Sequence, residues 1–152
     1  MYMKHSELKE AVKTAMKERA QVKLSVLRGL MSAATNELVA KGKKPDGELT
    51  EEELLAVISR AAKQRKDSIS QFEAGGRADL AASEKEELAV LETLLPAQMS
   101  AEEIEAAVKA KAAEMGVSDK TGANKLMGML MKDFKGRADG NAVKAAVEKL
   151  FS

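Results

Sequence analysis

The sequence predicts an all-α protein, and three observations lead there. Apolar residues recur at helical spacing in every long segment, while apolar/polar alternation over strand length is absent. The chain is 45% hydrophobic but only 3% aromatic, so its core must come from Leu, Val, Ala, Ile and Met, a supply that suits close helix packing better than a β-sandwich. Its only prolines, Pro45 and Pro96, fall between the periodic stretches. Seven helices follow from these patterns.

The first helix is expected to start near Ser6, an N-cap residue type, with Leu8, Val12, Ala15 and Met16 on one face. The second carries Leu27, Leu30, Met31, Ala34 and Leu38 at three- and four-residue spacing and stops at Gly42. After the turn-rich "KGKKPDGELT", Thr50 with Glu53 three residues on is the signature of a capping box for the third helix. That helix offers Leu54, Leu55, Val57 and Ile58, then Ile69 and Phe72, to a core, and ends at Gly75-Gly76. Asp79 is the expected cap of the fourth helix, whose Leu88, Leu91, Leu94 and Leu95 run to Pro96, which cannot continue a helix.

Pro96 also marks the expected domain boundary, dividing an N-terminal helical domain, 1–96, from a C-terminal three-helix bundle, 97–152. Ser100 with Glu103 reads as a second capping box opening the fifth helix, lined by Ile104, Ala107, Val108 and Met115. The sixth is lined by Leu126, Met127, Leu130, Met131 and Phe134, the seventh by Val143, Val147, Leu150 and Phe151. The methionines of "LMGMLM" fit core packing better than soft-metal ligation, since Met127 and Met131 share the leucine face and only Met129 points elsewhere. Gly128 is a candidate close helix contact. The tetrapeptide "GRAD" occurs twice, at 76–79 and 136–139, each time between two helices, where Gly ends one and Asp caps the next.

Composition removes much chemistry. There is no Cys and a single His, His5, so disulfides, thiolate metal sites and Cys- or His-dependent nucleophile systems are excluded. No P-loop, dinucleotide glycine fingerprint or zinc spacing occurs, and the carboxylates read as helix first turns or solvated faces. No catalytic residue, cofactor or metal is assigned. "MYMKHSELKE" has no apolar leader core, and no apolar run approaches the roughly 20 residues that span a bilayer, so the expectation is a cytoplasmic address without a membrane partner.

The net charge of +1 makes any attraction to a polyanion a matter of local clustering. The C-terminal segment supplies one cluster: Lys125 and Lys132 can share a helical face and join Lys135 and Arg137 of the following turn. Gly136 permits a left-handed backbone there, while Asp139, as the ordinary N-cap, competes with any phosphate for the amides that open the last helix. A second cluster, Arg60, Lys63, Arg65 and Lys66 with Arg77 beyond the helix end, either extends a nucleic-acid track or pairs with Glu84, Glu86, Glu87 and Glu92 of the next helix. The C-terminal cluster can also be read as a solvated helix face.

The run "AKQRKDSISQFEAGGRADLAASEKEELAVLETLLPAQMSAEEIE", followed by "KLMGMLMKDFKGRADGNAVKAAVEKLFS", resembles the YqeY-like, or GatB/YqeY domain, family. The likeness runs from about Lys4 to Phe151, with one departure: where the family often reads Met-Gly-Lys before the methionine-rich helix, this chain has Ala123-Asn124-Lys125. The resemblance implies a multihelical N-terminal portion followed by a three-helix bundle. It also implies tRNA binding, because the same domain forms the tail of the B subunit of the glutamine-dependent amidotransferase that acts on Asp-tRNA(Asn) and Glu-tRNA(Gln). Its carbon-nitrogen ligase chemistry resides in other domains and subunits, so the implied partners are tRNA and amidotransferase subunits or another protein. The candidate phosphate contacts are Lys125, Lys132, Lys135 and Arg137, with Lys63, Arg65, Lys66 and Arg77. The alternative is a helical protein-interaction module that binds no RNA.

Overall fold

The computed structural model describes residues 2–152, and every regular element among them is helical. In order these are α1 (His5–Glu18), α2 (Gln21–Ala40), α3 (Glu51–Ala74), α4 (Ala78–Thr93), α5 (Ala101–Met115), a 3-10 turn at Lys120–Gly122, α6 (Ala123–Asp133) and α7 (Gly140–Leu150). The chain divides into two compact units, Met1–Pro96 and Ala97–Ser152.

In the first unit α1 starts one residue before the expected cap. Lys4 is the N-cap, and Ser6 is already helical, because the Glu7 carboxylate accepts the Lys4 N–H at 3.2 Å and so closes the first turn. His5 is buried, and its Nδ1 accepts the Leu49 N–H at 3.1 Å, tying the start of α1 to the segment before α3. Half-buried Tyr2, the chain's one tyrosine, lies just ahead of it. Ala15 takes the core position in the last turn of α1, and Met16, 51% exposed, does not join the core as expected.

Leu27, Leu30, Ala34 and Leu38 give α2 a continuous buried stripe that faces Leu54 and Ile58 of α3 and Leu91 of α4 in one core. Burying each such leucine or isoleucine stabilises the unit by about 1.5–3 kcal/mol. The box at the start of α3 is complete: Thr50 Oγ1 accepts from the Glu53 N–H at 3.1 Å, and the Glu53 carboxylate accepts from the Thr50 N–H at 2.9 Å. That backbone bond, reinforced by Lys41 and Lys43, holds the Glu53 carboxyl down to about 2. At the far end Gly75 closes α3 and Gly76 turns the chain with φ +71°. Asp79 does not cap α4. Arg77 is the N-cap, and Asp79, second in the helix, spends its carboxylate on the Arg77 guanidinium at 3.3 Å.

The second unit is a three-helix bundle in which each helix contributes a pair four residues apart: Ile104 and Val108, Leu126 and Leu130, Val143 and Val147. Half of the box expected at Ser100 forms, its Oγ accepting from the Glu103 N–H at 3.1 Å. The 3-10 turn after α5 brings Gly122 against Val117, whose Cγ1 would lie 2.8 Å from a Cβ at that position. The glycine ahead of Ala123-Asn124-Lys125 therefore sets the close approach of the α6 start to the end of α5. Met127 and Met131 pack on the core, and Met129 stays 38% exposed.

Candidate nucleic-acid interface

The turn from α6 to α7 is fixed from both sides. Buried Phe134 closes α6, its N–H donating to Leu130 O at 2.8 Å, and Arg137 N–H returns to Phe134 O at 2.7 Å. Gly136 has φ +76°, a conformation that a Cβ would strain. The segment entering α5 clasps the turn: Gln98 Nε2 donates to Gly136 O at 2.8 Å and Met99 N–H to Arg137 O at 2.9 Å. Asp139 is extended and its Oδ1 accepts the Asn141 N–H at 3.0 Å, so a carboxylate already occupies the helix start. The glycines of "KGRADG" shape a capped turn rather than an anion cradle.

Four cations ride on this frame, and all are exposed: Lys125 and Lys132 on α6, Lys135 and Arg137 in the turn. Arg137 commits one edge, donating from Nε to Ala97 O at 3.4 Å. Neither Lys125 nor Lys132 forms an ion pair among the described residues. Asp133, beside Lys132 in sequence, is held instead by Lys111 at 3.3 Å. Lys149 is bound to Glu105 at 2.8 Å, which keeps that carboxyl below its ordinary range and raises the lysine above its own. The bundle thus neutralises Lys111 and Lys149 internally and leaves the α6 lysines facing solvent.

The first unit uses its cations differently. Arg65 reaches Glu84 at 3.0 Å and Glu87 at 3.2 Å across the α3–α4 hairpin. Arg60 pairs with Glu37, and Arg77 with Asp79. Lys63 is exposed and Lys66 half-buried, and neither forms an ion pair among the described residues, nor do Glu86 and Glu92. Of this cluster the three arginines are therefore paired with acids, while Lys63 and Lys66 are not.

The Gln98, Met99 and Arg137 contacts escaped the sequence reading because they join residues almost forty positions apart. No local signal marks them. Among the described residues no group of three or more His, Cys, Asp or Glu is placed to hold a metal ion, and no helix is long and apolar enough to cross a membrane.

The sequence model of the family described as "Yqey-like protein" matches residues 5–151. Curated relatives include proteins named "Altered inheritance of mitochondria protein 41, mitochondrial". That of Vanderwaltozyma polyspora is 38% identical over 89 residues, 58% of this chain and 46% of the relative. That of Saccharomyces cerevisiae is 38% identical over 87 residues, 57% and 45% of the two chains, and that of Kluyveromyces lactis 35% over 104 residues, 66% and 54%. The chain spans about half the length of the relatives it matches. Their names also correct the expected cytoplasmic address, since these relatives are mitochondrial proteins. The missing apolar leader core in "MYMKHSELKE" speaks only to one secretory route and does not fix a compartment.

Proposed function

Since the chain belongs to the YqeY-like family, we propose that it is a tRNA-binding accessory protein whose second unit contacts backbone phosphates through Lys125, Lys132, Lys135 and Arg137. Supporting this reading is the distribution of charge in the bundle: Lys111 and Lys149 are paired with acids, while Lys125 and Lys132 are exposed without one. Shape and charge would do the selecting, because a chain with 3% aromatic residues has little surface on which to stack exposed bases. In the first unit, Lys63 and Lys66 are the better candidates to extend the contact, Arg65 and Arg77 being engaged by acids. Amidation is proposed to belong to other subunits, with this chain supplying RNA affinity.

A mobility-shift titration against deacylated tRNA over a salt series tests the reading. Four phosphate contacts predict a log–log slope of about −3 to −4. Replacing Lys135 and Arg137 by Ala should weaken binding and flatten that slope by about two. Absent affinity, or affinity indifferent to salt, overturns it. A stoichiometric protein partner that survives nuclease and high salt would favour the interaction-module reading instead.

A further inference from the structure

Gly128 is the sixth of the eleven residues of α6, a position where glycine is the least favourable residue after proline. The fold does not call for it. A Cβ built there meets no atom within 4 Å, and its φ is not positive, so the expected close helix contact is absent. Around it, Lys125, Met129 and Lys132 are all exposed. The spacing i, i+3, i+4, i+7 puts the four residues on one stripe, with the two lysines about 10 Å apart along the axis. Gly29 is also mid-helix and open, but it lines the groove between α2 and α3 beside Ala33 and Ala61, without two lysines flanking it.

We propose that this stripe lies against the minor groove of double-helical RNA, with the bare backbone at Gly128 on the ribose 2′-hydroxyls and Lys125 and Lys132 on the bordering phosphates. The proposal rests on the tRNA-binding reading above and specifies what α6 recognises. A-form RNA presents a wide, shallow minor groove lined with 2′-hydroxyls, whereas its deep, narrow major groove admits no such surface. A side chain at 128 would lean back over the preceding turn and cover the carbonyls of Asn124 and Lys125. Without one, those oxygens, each keeping a second lone pair beyond its helix bond, stand open to a hydroxyl donor. DNA lacks that hydroxyl.

The test compares the full chain with Gly128→Ala, Gly128→Met, Lys125→Ala and Lys132→Ala on tRNA and on RNA and DNA duplexes of one sequence, with thermal unfolding alongside. Both Gly128 variants should unfold at a higher temperature than the parent, because alanine and methionine are better helix formers. Both should nonetheless bind RNA more weakly, Gly128→Met by about ten-fold, with the salt slope unchanged, while each lysine variant lowers the slope by about one. The parent should prefer the RNA duplex to the DNA duplex. If the parent binds tRNA but Gly128→Met binds as well, or DNA binds as well as RNA, this inference alone is overturned. A parent that does not bind tRNA overturns both readings.

Discussion

His5 shows how one side chain can tie two distant segments through its protonation state. Nδ1 accepts the Leu49 N–H at 3.1 Å, which it can do only while that nitrogen is unprotonated. Burial holds its pKa below the ordinary 6.5, and the nearby Lys9 adds to this, partly opposed by Glu48. The unfolded chain therefore takes up the proton first as pH falls. His5 contributes its stability above 6.5 and loses it as the pH drops through the lowered value. Urea unfolding at decreasing pH should show stability falling below the ordinary histidine range. In His5→Asn, whose amide oxygen can accept the same bond without titrating, that part of the pH dependence should vanish while stability at neutral pH changes little.

Helix ends carried the clearest sequence signals. Thr50 with Glu53, Gly75-Gly76 and Asp139 announced their boundaries because each acts on backbone within three residues of itself. At Gly136 the left-handed φ of +76° strains any residue that carries a Cβ, so Gly136→Ala should destabilise the protein by about 1–2 kcal/mol in denaturant unfolding. It should also disturb the Gln98 and Met99 bonds that hold the turn, and so weaken RNA binding without removing a charge. The sequence misread the starts of α1 and α4 for one reason: Ser6 and Asp79 are good capping types placed two positions too deep. Glu7 back-bonding and the Arg77–Asp79 pair satisfied those ends instead. The buried stripes of α2, α6 and α7 were legible from periodicity. The partners of the cations were not, since Lys111–Asp133 and Lys149–Glu105 depend on how the helices pack.

At the scale of the whole molecule, each unit closes its own hydrophobic core, one around Leu27, Leu54 and Leu91, the other around Val108, Leu126 and Val143. We expect the two cores to melt as separate events. Guanidinium unfolding followed by far-ultraviolet circular dichroism, which sees every helix, should not coincide with unfolding followed by tyrosine fluorescence. A single superimposable transition by both probes would refute this. The comparison works because Tyr2 belongs to the first unit, and the chain has no tryptophan to report on the second. That lone tyrosine has a further consequence at the bench. A protein so nearly transparent in the near-ultraviolet cannot hide a nucleic acid, and any RNA carried through its purification would dominate the absorbance spectrum before a binding assay was run.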